Sequence, residues 1–73
     1  MPNNKVKLTN QVRVLRAKRN LTQEELAQKV GVSRQTIIAI EANKYSPSLT
    51  LAFLIAHELG SNLEEIFQIN ILN

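Results

Sequence analysis

Leu21-Thr22-Gln23-Glu24-Glu25-Leu26-Ala27-Gln28-Lys29-Val30-Gly31-Val32-Ser33-Arg34-Gln35-Thr36-Ile37 is the stretch whose reading decides the fold. Thr22 to Glu25 has the form of a capping box, in which the Thr22 hydroxyl accepts from the Glu25 N–H and the Glu25 carboxylate reaches back to the N–H of Thr22. Leu21 ahead of the cap and Leu26 four residues after it can close a hydrophobic staple. Leu26, Ala27 and Val30 share one face, predicting a helix over Gln23–Val30. Gly31 stops it, because glycine enters the left-handed region cheaply. Ser33 is the next N-cap. It opens a helix from Arg34 to Ala42 that buries Ile37 and Ile40 and exposes Arg34, Gln35, Ile38 and Ala39. Asn43, the residue that best replaces glycine at a left-handed stop, ends it.

Helix, three-residue turn and helix in this order force a steep crossing, with Val32 filling the angle. This is a helix-turn-helix, an arrangement whose second helix can enter a DNA major groove. Outward from it, Val12, Leu15 and Arg19 fall on one face of a first helix starting at about Thr9 or Asn10. Tyr45-Ser46-Pro47-Ser48 reads as a loop, and Ser48 caps a fourth helix over Leu49–Leu59 that closes at Gly60. Ser61-Asn62-Leu63-Glu64 reads as a second capping box and starts a short fifth helix through Phe67. Ile69 and Ile71 then alternate with Gln68 and Asn70, and Val6 and Leu8 alternate with Lys5 and Lys7. These strand signals at the two ends could pair as a small sheet. The expected fold is all-α, with five helices and this terminal sheet, in one domain over residues 1–73.

Seventy-three residues support only a modest core, so dense helix packing, a partner subunit or both must supply stability. Cysteine is absent and His57 is the only histidine, which leaves no thiolate nucleophile, disulfide or zinc site in prospect. His57 and Glu58 are adjacent and diverge on a helix, and no glycine-rich phosphate loop exists, so an enzyme is not expected. No cofactor, metal or small-molecule ligand is expected either. Lys5, Lys7 and Asn10 interrupt the start before an apolar run develops, and Leu51 to Ala56 is too short to span a bilayer. A cytoplasmic, non-membrane protein is the expectation. All nine basic residues lie between Lys5 and Lys44, with only Glu24, Glu25 and Glu41 to offset them. Residues 45–73 carry three glutamates and no Lys or Arg. The charge is a solvated surface or, read more sharply, a polyanion-binding face backed by an acidic one.

The stretch from Leu21 to Ile37 closely resembles the helix-turn-helix of the lambdoid phage repressors and Cro proteins, the xenobiotic-response-element type. The resemblance continues through Ile40-Glu41-Ala42-Asn43-Lys44 and Pro47-Ser48-Leu49 to Leu59-Gly60 and Leu63 to Phe67. It implies a lambda-repressor-like domain that binds double-stranded DNA, and roles for particular positions. Gln23, at the start of the second helix, would hold a phosphate with its amide and the helix N-terminus. Ser33 to Thr36 open the recognition helix. Gln35 suits adenine N6 and N7, and Arg34 suits guanine O6 and N7 or a phosphate. Thr36 suits a thymine methyl or a phosphate. Ile38 would meet thymine methyls or simply stand exposed. Ala39 replaces a more polar residue common in the phage proteins, which shifts base reading toward its neighbours. Asn43 stands where the family often has glycine; its backbone N–H, the Lys44 ammonium and the Tyr45–Ser46 segment are further phosphate candidates, although Tyr45 could equally cover the core edge. Arg16 and Glu41 match a structural ion pair of the family, and Lys18, Arg19 and Lys29 read as steering charges.

The fourth helix is apolar over much of its circumference. Leu49, Ala52, Ile55, Ala56 and Leu59 fit a buried face, while Leu51, Phe53 and Leu54 add to it. A homodimer is expected through Leu51 or Leu54, Phe67 and the strand around Ile69 and Ile71. Short dimeric regulators resembling cytolysin-type repressors carry a similar terminal strand. Two readings follow. One is a dimeric transcriptional regulator, expected to be a repressor, on a near-palindromic operator. The other is an antitoxin or protein-interaction module that uses the same fold.

Overall fold

A computed structural model describes residues 6–71, in the order β1 (Val6–Asn10), α1 (Val12–Lys18), α2 (Gln23–Val30), α3 (Arg34–Glu41), α4 (Leu49–Leu59), α5 (Leu63–Ile66) and β2 (Phe67–Ile71). Lys5 and the last two positions of the expected 68–73 strand lie outside the described residues. The helices surround a core in which Val12, Leu26, Ile37, Ile40, Ile55, Leu59 and Ile66 are fully buried. Leu15, Leu21, Val32, Leu63 and Phe67 pack around it, half-buried.

Side chains set the helix starts. Thr22 and Glu25 form the reciprocal capping box ahead of α2, with bonds of 3.0 and 2.8 Å. Ser33 Oγ and Ser48 Oγ accept from Thr36 and Leu51 N–H groups at α3 and α4. The second capping box lies one residue later than the sequence reading put it: Asn62, not Ser61, is the cap, and Glu65, not Glu64, is its partner. Serine and asparagine cap about equally well, and capping at Asn62 is the choice that brings Ile66 into the core.

All four longer helices stop in the same way. Asn20, Gly31, Asn43 and Gly60 have positive φ, between 57° and 78°. At each stop, the N–H of the next residue reaches back to the carbonyl five residues before it, as in Lys44 to Ala39 at 2.9 Å. At Gly60 the Arg19 guanidinium sits against the end of α4, where its charge suits the helix dipole. Arg19 therefore has a structural place and is not simply the steering charge expected.

The terminal segments do pair. β1 and β2 form a two-stranded antiparallel sheet with Val6 opposite Ile71, Leu8 opposite Ile69 and Asn10 opposite Phe67. Strand β1 takes up Thr9 and Asn10, so α1 starts at Val12, later than expected, and Gln11 N–H donates to the Ile66 carbonyl at 2.7 Å. Phe67 belongs to β2 and not to α5. Two positions of α4 exchange the places the sequence suggested. Leu49 is 68% exposed, whereas Leu51 is buried at 8%. The pitch of the helix explains this: Leu51, Ile55 and Leu59 form an i, i+4, i+8 ridge into the core, and Leu49 falls on the outer side of it.

The two glycine stops make a paired test. Gly31→Ala meets open space, so it loses only the left-handed backbone preference, about 1–2 kcal/mol. Gly60→Ala must also displace the Arg19 guanidinium. The tip of an exposed arginine moves aside cheaply, so urea unfolding is expected to show both midpoints lowered by similar amounts.

Candidate nucleic-acid interface

The outer strip of α3 follows from helix geometry. At 100° per residue, Arg34, Ile38, Ala42, Gln35 and Ala39 succeed one another around one side, while Ile37 and Ile40 point inward. Arg34, Gln35, Ile38 and Ala42 are exposed, and Ala39 is half-buried. The strip is flanked by the N-terminus of α2. One shallow cleft is lined by Arg34 together with Arg16, Thr22, Gln23 and Glu24. A second, sharing Arg16 and Gln23, is lined by Arg13, Ile38, Glu41 and Ala42. The structure thus brings together Gln23, Arg34 and Ile38, residues that sequence reasoning had grouped. Arg13 and Ala42 belong to the same surface and were not singled out; the only signal for Ala42 was its helical phase.

A half-buried charge network underlies the surface. Arg16 Nε donates to Glu41 Oε2 at 2.7 Å, and Nη2 donates to Oε1 at 3.3 Å. The third nitrogen, Nη1, donates to the Leu21 carbonyl at 2.8 Å. The two side chains are only 15% and 6% exposed. Gln23 Nε2 also donates to Glu41 Oε1, at 3.1 Å. The amide expected to face a phosphate is therefore anchored to the network. The capping box engages the N–H groups of Thr22 and Glu25, which leaves those of Gln23 and Glu24 at the positive end of α2.

At the start of α3, Ser33 Oγ and Thr36 Oγ1 lie 3.1 Å apart, hydrogen-bonded to each other, while the Thr36 N–H also donates to Ser33 Oγ. Both hydroxyls serve the cap, while Arg34 and Gln35 project without such a tie. Beyond α3 the geometry departs from expectation. The Asn43 N–H donates to the Ile40 carbonyl at 3.0 Å and so is engaged within the fold. Lys44, Tyr45 and Ser46 are exposed beside it. Tyr45 and Ser46 help to line a small cleft with Leu8, Asn10, Asn43, Pro47 and Phe67.

Among the described residues no three His, Cys, Asp or Glu side chains come together to hold a metal, and no helix is long and apolar enough to cross a membrane. Capped helices around a three-residue turn, with the second helix offering an outward edge headed by Arg34 and Gln35, define a helix-turn-helix DNA-binding domain. The family model described as helix-turn-helix matches residues 12–66, and the chain belongs to that family. Membership makes it a DNA-binding regulator and not an enzyme. An HTH-type transcriptional regulator of Methanocaldococcus jannaschii is 60% identical over 60 residues, which span 82% of this chain and 91% of the relative. The immunity repressor protein of Bacillus phage phi105 is 36% identical over 55 residues, 75% of this chain and 38% of that protein. The transcriptional regulator VanUg shares the fold, with a TM-score of 0.77 over 97% of this chain and 95% of its own, at 22% identity.

Removing Glu41 alone strands the Arg16 guanidinium and frees Gln23. Glu41→Ala is expected to cost about 3–5 kcal/mol, whereas Arg16→Met combined with Glu41→Leu should recover most of that loss. Chemical denaturation of the three proteins checks this.

Proposed function

We propose that the chain binds double-stranded DNA sequence-specifically as a dimeric transcriptional repressor, with the segment 34–42 in the major groove. The observation that carries this reading is the division of α3: Ile37 and Ile40 are wholly buried, while Arg34, Gln35 and Ile38 face outward beside the α2 N-terminus. Gln35 reads adenine through its N6 and N7. Arg34 reads guanine or holds a phosphate, and Ile38 offers an apolar contact to thymine methyls. Gln23, with the free N–H groups of α2, and Lys44 hold the backbone and set the register. Ser33 and Thr36 support this through the α3 cap, and Tyr45 and Ser46 extend the phosphate side. The similarity to a phage immunity repressor favours repression.

An apolar face supports the dimer. The strand register places Val6, Leu8, Phe67, Ile69 and Ile71 on one side of the sheet. Leu8 and Phe67 line an apolar groove with Pro47, Leu49, Ala52 and Leu63. Val6, Ile69 and Ile71 continue that face, with Ile69 and Ile71 64% and 69% exposed. Phe53 lies one turn from Leu49 on α4 and is exposed as well. Leu51 is in the core and drops out of the interface, while Leu54 remains exposed about 100° around the helix from Phe53. A second copy covers this face and presents two recognition helices to a near-palindrome, about one helical turn apart.

Selection of bound sites from a random duplex library is the direct test; recovery of no preferred sequence would sink the reading. Gln35→Ala is expected to lose about 1–3 kcal/mol on the best site and to relax one base position. Lys44→Ala should instead weaken all duplexes alike and reduce the slope of log K against log salt by about 0.9. Sedimentation of Ile69→Glu beside the parent, at micromolar concentration, should show the dimer lost.

A further inference from the structure

Asn10 closes β1, and its side chain leaves the sheet to meet the end of the recognition helix. Its three hydrogen bonds fix one another. Asn10 Oδ1 accepts from the Val12 N–H at 3.0 Å, an acceptor role that only the oxygen can fill. Nδ2 must then face the other way, where it donates to the Ile40 carbonyl at 2.7 Å. The remaining proton of Nδ2 goes to Asn43, at 2.9 Å, so Asn43 must present its Oδ1 to Asn10. The Nδ2 of Asn43 is thereby the outward end of that amide. The orientation of both carboxamides follows from one backbone N–H.

This tether is particular to one helix end. Glycine serves the left-handed stops at positions 31 and 60, and at position 43 asparagine stands in the same backbone conformation. Asn20, the other left-handed asparagine, has no side-chain bond of this kind among those described. Asn43 is exposed, its backbone N–H is engaged with Ile40, and Lys44 follows it directly. Its side-chain NH2 is thus a donor without a partner among the bonds described, whereas its backbone N–H is engaged.

We propose that Asn10 is a positioning residue for DNA: it locks the Asn43 carboxamide with its NH2 group outward, as a donor to a backbone phosphate beside Lys44. The inference rests on the DNA-binding reading above. An amide free to flip would present oxygen to phosphate half of the time, so the lock favours the donor face before contact and lowers the ordering cost of binding.

The test is a double-mutant cycle read by DNA affinity on the selected site and on a random duplex, under conditions where every variant is folded by circular dichroism. Asn43→Gly keeps the left-handed stop and deletes the amide. Asn10→Ser keeps an acceptor for the Val12 N–H, adds no charge, and is too short to reach Asn43. Asn43→Gly should weaken binding about three- to tenfold on both duplexes, and Asn10→Ser by about twofold, the loss that a half-populated donor face allows, with base preference unchanged in both. Combined, they should lose no more than Asn43→Gly alone, because Asn10 acts through Asn43. Multiplying losses, an altered base preference, or full affinity in Asn43→Gly would each overturn the proposal. A parent protein that binds neither duplex at low salt would instead remove the DNA-binding reading itself.

Discussion

The carboxylate of Glu41 is the point on which the arrangement of α1, α2 and α3 depends. It belongs to α3, takes two hydrogen bonds from Arg16 on α1, and takes one from Gln23 on α2. A largely desolvated ion pair such as this half-buried one contributes little net stability, since desolvation consumes most of the Coulombic gain. What it supplies is geometry. Apolar contacts alone would let three short helices slide over one another, whereas a carboxylate with three donors has few other placements. Arg16 also holds the Leu21 carbonyl, so the network reaches the segment that leads into α2. The recognition strip is therefore referenced to the first turn of α2, the two parts that a nucleic acid would touch together.

The second constraint is economy of termination. Helices of seven to eleven residues are too short to persist by propensity, and each must stop within one residue to let the next begin. Four left-handed residues do this, two of them asparagine. Glycine is the cheaper choice at such a site. Asparagine at 43 retains a side chain, which Asn10 engages, and so a backbone stop also ties the sheet to the end of α3.

Most of this organisation was legible in the sequence because caps and stops are local chemistry. Thr22 with Glu25, Ser33, Ser48, Gly31, Asn43 and Gly60 act within four residues of themselves, and α2 and α4 begin and end where they dictate. The misreadings share a physical origin. Leu49 and Leu51 differ by which side of α4 the remaining helices occupy, and a helix apolar on most sides carries no phase information of its own. The Asn62 cap was displaced because Ser61 and Asn62 are both good caps, and the choice falls to the burial of Ile66. Asn10 has one local partner, the Val12 N–H, but the two that tie it to the end of α3 are thirty and thirty-three residues away. For the interface, the outer residues of α3 followed from helical phase, while the Gln23–Glu41 bond and the engaged N–H of Asn43 required coordinates.

The composition of the recognition strip bears on the proposed second copy. Of the five outward positions, Arg34 and Gln35 alone carry long hydrogen-bonding side chains; Ile38, Ala39 and Ala42 offer only apolar contact. A good bidentate contact discriminates by about 1–3 kcal/mol, so one copy reaches roughly 2–6 kcal/mol even with both residues on bases. Specific binders exceed their own non-specific binding by about 4–10 kcal/mol. Two copies on a two-fold site double the first figure into that range, and the apolar sheet face offers the means of joining them. On the DNA-binding reading, then, the short side chains at 39 and 42 and the exposed Ile69 and Ile71 belong to one design. In the proposed dimer a sparse reading head would be compensated by symmetry, and firm holding of the phosphates would fix the register in which so few base contacts are made.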